Sequence, residues 1–259
     1  MREKTVHWNG GLHPEAVTIL KRGGGLVVSP TKVGYIILAT DTAGLERKFD
    51  AKERSRNKPG VVLCGSQEQL KMLAQMNQET ERLYRSHDTA DVLLGCILPW
   101  RDDALKYIPQ DGAEALMTDS RGTSCFVLRF GAPGEYLARA LWENHGMLTF
   151  ASSANPSGKG NRGLVSGIGV RIESAADLII EGDDYVRSIQ PDKTTENRHE
   201  QGVMVSMVDA EGKLVPPQEG RRGISPCPVV IRRGLDVHRV MAFMSEIYPS
   251  WDYRHGNYY

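Results

Sequence analysis

The chain contains no run of about 18 apolar residues, so no transmembrane helix is expected. Its opening stretch, MREKTVHWNGG, lacks the apolar core of a secretory signal. Cysteine is scarce. Cys64, Cys96, Cys125 and Cys227 show no metal-ligand spacing and build no disulfide framework. A reducing cytoplasm is therefore the expected compartment. The seven histidines include no HExxH, which leaves a zinc-hydrolase reading without support, and no protein-held metal is expected. No GxxxxGKS or GxxxxGKT phosphate loop occurs. Neither sign of charge is in excess: 32 Lys+Arg stand against 32 Asp+Glu. That balance argues against a strongly basic nucleic-acid domain and leaves a local basic groove open.

What is present is ordinary globular composition, 40% hydrophobic and 25% charged over 259 residues, enough for one large domain or two small ones. HPEAVTILKRGGG reads as a first helix, with Pro14 in the first turn and three glycines stopping it. LVVSP and GYIILAT read as strands, AGLERKFDAKERS as a helix, and GVVLCG as a strand. SQEQLKMLAQMNQETERLYRS is an amphipathic helical region. VLLGCILPW, TSCFVLRF and MLTFAS are strands, and GEYLARALWENHG is a helix ended by Gly146. AADLIIEG, VMVSMVD and PCPVVIRRG are later strands. The mixed order predicts an α/β protein built on a twisted mixed sheet with flanking helices. Residues 185–202 are polar and patternless, which predicts a mobile loop suited to closing over a ligand. Residues 214–228 form a second such stretch.

Two segments stand out chemically. In AKERSRNKPGVVL, Lys52, Arg54, Arg56 and Lys58 fall on alternate positions just before an apolar strand. In SSANPSGKGNRG, Ser152, Ser153, Asn155 and Ser157 follow another strand, and Gly158, Gly160 and Gly163 keep the backbone accessible. A polyphosphate held without a phosphate loop needs both kinds of group, cations and neutral donors. Separately, the first segment reads as a solvated helix end and the second as an ordinary turn.

Together they resemble the Sua5/YciO/YrdC family, the threonylcarbamoyl-adenylate synthases. The family's KxR pair appears as Lys52 and Arg54 in KERSRNKP, and its SxN tripeptide as Ser153 and Asn155 in SANPSG. Its PTxTxYGL turn is similar to PTKVGYII, with Pro30, Thr31 and Tyr35 in place. Its xVxxRxP strand resembles CFVLRF, with Arg129 at the arginine. Its STVVD strand resembles VSMVD, and its RxG resembles RRG with Arg232. The landmarks keep their order over roughly residues 12–240, which implies a nucleotide-binding domain over 1–240 and a tail over 241–259.

The resemblance implies a chemistry. Family members join an amino acid, usually threonine, to bicarbonate and ATP, releasing pyrophosphate and forming a carbamoyl-adenylate that feeds t6A modification of tRNA. It implies ATP with magnesium (Mg²⁺) as the cofactor set. Lys52, Arg54, Ser153 and Asn155 would be the catalytic residues. Cys125, Asn161 and Arg232 would join them around the nucleotide, and Thr31, Tyr35 and Arg129 would hold the amino acid. ATP, bicarbonate and an amino acid are the implied small-molecule partners, with RNA a further candidate and no membrane.

The chain departs from the family pattern on one side. Val33, Ile36, Leu63, Cys125 and Val205 replace small or polar positions, and Lys32 replaces an acidic or polar one. A site that loses the polar partners of a substrate hydroxyl discriminates less for that substrate. A carbamoyl-adenylate enzyme with a different acceptor, and a non-catalytic nucleotide- or RNA-binding relative, therefore stand beside the threonine enzyme as readings.

Overall fold

The computed structural model describes residues 4–56, 59–156 and 158–254. Among them the strands are β1 (Thr5–His7), β2 (Val27–Thr31), β3 (Gly34–Ala39), β4 (Val61–Leu63), β5 (Leu94–Pro99), β6 (Thr123–Leu128), β7 (Thr149–Ser153), β8 (Leu178–Glu181), β9 (Val203–Ser206), β10 (Val229–Arg232) and β11 (Asp252–Tyr253). The α-helices are α1 (Pro14–Lys21), α2 (Thr42–Lys52), α3 (Gln67–Leu73), α4 (Gln78–Thr89), α5 (Glu114–Met117), α6 (Ala132–His145), α7 (Val170–Ala175), α8 (Asp183–Ile189) and α9 (Val237–Ile247).

All strands join one mixed sheet in the order β1-β8-β2-β3-β7-β4-β6-β5-β9-β10-β11. An apolar layer lies on each face. On one, Leu45 and Phe49 of α2, Leu83 and Tyr84 of α4 and Val240 and Met244 of α9 meet Tyr35, Ile37, Val62 and Phe150. On the other, Ile19 and Leu20 of α1 and Leu137 and Leu141 of α6 meet Val27, Leu38, Leu63 and Ala151. Helices on both faces are what a sheet with apolar residues on both sides requires.

The register of the central strands positions the chemistry. β3 runs antiparallel to β7 with Ile36 opposite Ser153, and β4 runs antiparallel to β7 with Val61 opposite Ala151. The strand entered from the basic segment thus starts beside the strand that ends in the SAN loop.

Several expectations change. The 66–86 region is two helices, α3 and α4, each with its own N-cap: the Ser66 side chain accepts from Gln69 N, and that of Asn77 from Thr80 N. Residues 185–202 are not a structureless loop, because their first turn and a half belongs to α8. The chain continues past 240 without leaving the sheet and its core. That position lies inside α9, whose Val240, Met244 and Ile247 are buried with Tyr248 in the main core, and β11 pairs with β10. No helix among the described residues is long and apolar enough to cross a membrane.

Candidate active site

Helix α2 sets the two halves of KxR apart. Asp41 caps its start by accepting from Gly44 N at 2.7 Å. Glu53 ends it in the left-handed conformation (φ 50°), and Arg54 N reaches back to Phe49 O at 3.0 Å. Lys52 is therefore the last helical residue and turns inward, whereas Arg54 lies beyond the cap. Lys52 is 2% exposed, and its Nζ donates to the Ser153 carbonyl and lies 3.3 Å from Ser153 Oγ. Burial, reinforced by Arg54, brings the Lys52 amine down to about 7.

Past the reach of α6, the sheet opens into a cleft of about 770 Å³. Thr31, Arg54, Ser153, Asn155 and Arg232 all line it. Its floor is apolar, with Val33, Ile36, Val61, Leu63, Val127 and Phe130. Polar groups of the wall are partly committed. Thr31 Oγ1 donates to Gly34 O at 2.8 Å and accepts from Val33 N at 3.2 Å. Asn155 Nδ2 donates to Pro156 O at 2.9 Å and to Lys159 O, which closes the SAN loop on itself. Arg232 Nε donates to Gly202 O at 3.0 Å. Lys52 supports the wall from behind through Ser153.

Besides Lys52, four expected site residues lie outside the cleft lining. Tyr35 alternates with Ile36 on β3, so it faces the opposite apolar layer. Its hydroxyl donates to Asp183 Oδ1 at 2.5 Å and accepts from Gly182 N at 2.9 Å. Burial and the Asp183 contact push its ionisation well above the usual tyrosine range. Arg129 Nε donates to Asp88 Oδ1 at 2.6 Å, and Nη1 stands 3.9 Å from Glu135, so its fork already has carboxylates. Cys125 is buried with Ile97, Met204 and Ile231, and burial raises its thiol to about 12. Asn161 is buried and spends its amide on the chain: Nδ2 donates to Tyr35 O and Ala154 O, and Oδ1 accepts from Gly163 N. A Cβ at Gly34 would collide with Asn161 Oδ1, and the φ of 131° there suits glycine alone. Asn161 thus couples the β2–β3 turn to the SAN loop.

Of the other motif residues, Arg56 pairs with Glu46 and Asp50 on the surface. Lys58 and Ser157 lie outside the described residues. Among the substituted positions, Val33, Ile36 and Leu63 do line the cleft, but Val205 is buried in the layer across the sheet. Lys32 is buried and pairs with Asp91 at 2.7 Å.

The segment after α8 supplies a wall that motif spacing did not reveal. Arg198, His199, Glu200 and Gln201 line the cleft. Glu200 accepts from Arg162 N, and its carboxylate lies so close to Gly160 that a Cβ there would have to displace it. The polar, unpatterned composition of 185–202 was the only signal for it. Among the described residues, no group of three His, Cys, Asp or Glu side chains could hold a metal ion. Glu200 is the carboxylate of the lining, and it is already bonded to Arg162 N. These donors do not fit a resident Mg²⁺.

A family profile described as telomere recombination, that of Sua5/YciO/YrdC, matches residues 19–200. The chain belongs to the Sua5/YciO/YrdC family. Its structure is similar to that of the hypothetical protein smu.1377c from Streptococcus mutans UA159, with 56% identity, a TM-score of 0.95 and full coverage of both chains. It shares its fold with P. abyssi Sua5 complexed with L-threonine, at 21% identity and a TM-score of 0.63, over 97% of this chain and 62% of that one. It also shares it with E. coli YciO, at 20% identity and a TM-score of 0.56, over 85% and 88%. No curated protein matches the chain.

Proposed function

We propose that the protein binds ATP in the cleft and joins it to a carbamate, forming a carbamoyl-adenylate and releasing pyrophosphate. The observation that carries this reading is the meeting of Arg54, Ser153, Asn155 and Arg232 on one cleft above an apolar floor. Membership of the family supports it, as does the fold shared with a Sua5 whose structure contains L-threonine.

In the proposed reaction the substrate amine adds to CO2 drawn from bicarbonate, giving a carbamate and a proton. A carbamate oxygen then attacks the α-phosphorus of ATP. The bond from that phosphorus to the bridging oxygen breaks, and pyrophosphate leaves with the electron pair. The residues work by placement and charge. Arg54 and Arg232 would oppose the negative charge that develops on the phosphates. Ser153 and Asn155 would fix the α-phosphate, and Lys52 would hold Ser153 where it must be. Magnesium would arrive on the triphosphate, since the wall offers it no carboxylate cage.

The floor favours an acceptor other than threonine. Val33, Ile36 and Leu63 are apolar, and the Thr31 hydroxyl beside them is engaged with Gly34 and Val33. A hydroxyl placed there would leave its water without replacement. The assay is pyrophosphate release from ATP and bicarbonate with threonine, serine, valine and other amino acids in turn. Release that needs both bicarbonate and an amino acid is the expected result. ATP binding without release for any amine would leave a nucleotide-binding protein and reject the enzyme.

A further inference from the structure

Lys48 occupies a position where its helix is otherwise apolar. On α2 it falls on the side of Leu45, Phe49 and Lys52, which faces the sheet. The side chain is 0% exposed, and its Nζ has no hydrogen-bond partner. The amine sits 4.8 Å from the centroid of the Phe49 ring. It also lies against Gly60, so near that a Cβ there would stand 2.7 Å from Nζ. The neighbours of Gly60 in the chain, Pro59 and Val61, line the cleft. A single stretch of backbone therefore separates this amine from the cleft wall.

The charges that act on Lys48 are positive. Burial is the largest influence and Arg54 and Lys52 add to it, bringing the amine down to about 7. The elements packed on α2 bring no counter-charge to it. On α7, Arg171 pairs with Glu53 at 2.7 Å and Glu173 is exposed. On α5, Glu114 is exposed, and on β3 the Tyr35 hydroxyl is held by Asp183. Among the described residues no carboxylate acts on Lys48. A charged amine buried beside two cations and without an acceptor is strongly disfavoured. The same amine becomes favourable as a cation once a multiply charged anion stands above it, because little water lies between them to screen the attraction.

We infer that Lys48 is a third cation of the polyphosphate site, one that takes up a proton when a polyphosphate settles against Arg54 and Arg232. The inference rests on the nucleotide reading of the cleft. It adds a residue that the KxR motif does not contain, and it makes binding draw a proton from solvent. Lys48 acts as a positioning charge, through one layer of backbone, with no contact to the ligand.

The test is calorimetric titration of ATP, and separately of inorganic triphosphate, into the full chain at pH 8. Each titration is run in two buffers of different ionisation enthalpy, whose difference counts protons taken up. Wild type should take up protons with both ligands. Lys48→Met, which keeps the length of the buried stem, should take up fewer and bind about tenfold more weakly. Lys48→Leu serves if the methionine variant does not fold, and thermal melting establishes which variants are folded. ATP bound by wild type and by a folded Lys48 variant with the same affinity and the same proton count would overturn the inference and leave the nucleotide reading standing. No ATP binding by wild type would overturn both.

Discussion

Gln190 holds His199 by both of its backbone groups. Its Nε2 donates to the His199 carbonyl at 3.0 Å, and its Oε1 accepts from the His199 N–H at 2.8 Å. Gln190 is buried, so these bonds have little competition from water. One amide thereby fastens the end of α8 to the wall that presents Arg198, His199 and Glu200 to the cleft.

Replacing that amide should loosen the wall. Gln190→Ala removes both bonds to His199 and a longer third one, from Nε2 to Lys32 O at 3.4 Å, each worth up to about 0.5–1.5 kcal/mol. Amide hydrogen exchange over residues 196–202 should accelerate relative to wild type, and ATP should slow it again in both proteins. Unchanged exchange in the variant would mean that other contacts secure this segment.

Lys52 and Arg54 should separate in their effects. Arg54→Ala should weaken ATP at least tenfold, with a smaller loss of melting temperature than Lys52→Ala, since removing one charge-assisted contact to phosphate costs about 1.5–3 kcal/mol. Lys52→Ala should weaken ATP and also destabilise the fold, because it strips a buried donor from the Ser153 carbonyl. Calorimetry and thermal melting on both variants decide this, and two identical profiles would contradict the division of labour.

Stability should depend on pH through the buried lysines. Folded Lys48 loses its proton at about 7, whereas in the unfolded chain a lysine keeps it up to about 10.5. Between those values the unfolded state binds more protons, so stability rises with pH through the window and falls as pH drops from its top to about 7. Lys48→Met should flatten that slope, leaving the part due to Lys52. Urea melts at pH 7, 8.5 and 10 on the two proteins measure the difference, and parallel curves would show that Lys48 carries its proton throughout.

Tyr35 and Arg129 should behave as structural residues. Tyr35→Phe leaves Gly182 N and Asp183 without their shared hydroxyl, at a cost of about 1–3 kcal/mol. Arg129→Met removes the partner of Asp88. Both should lower the melting temperature while leaving KM for the amino acid within about twofold. A large rise in KM for Arg129→Met alone would return that side chain to substrate binding.

Substrate preference should follow the floor. Val33→Thr with Leu63→His restores polar groups at two lining positions, and threonine should then gain at least about tenfold over valine in pyrophosphate release. Wild type already favouring threonine by about a hundredfold would show that the apolar floor does not read the acceptor.

The order of strands and helices was legible in the chain because apolar periodicity and glycine or proline punctuation are local properties. So were the two segments that meet at the cleft: alternate cations before a strand, and small hydroxyl and amide groups after one, keep their character wherever the fold puts them. The facing of individual side chains was not local. Tyr35 and Ile36 are adjacent and similar in hydrophobic character, yet one step along a strand exchanges the cleft for the opposite core, and only the pairing of Ile36 with Ser153 fixes which is which. Arg129 read as a free fork until the fold brought Asp88, 41 residues away, to its Nε. No local pattern marks Lys48, and only the packing of α2 carries it against Gly60. Sequence determined which chemical groups the protein has and roughly where along the chain they lie. Long-range pairing decided which of them face the cleft, which are spent on one another, and which are buried with no partner at all.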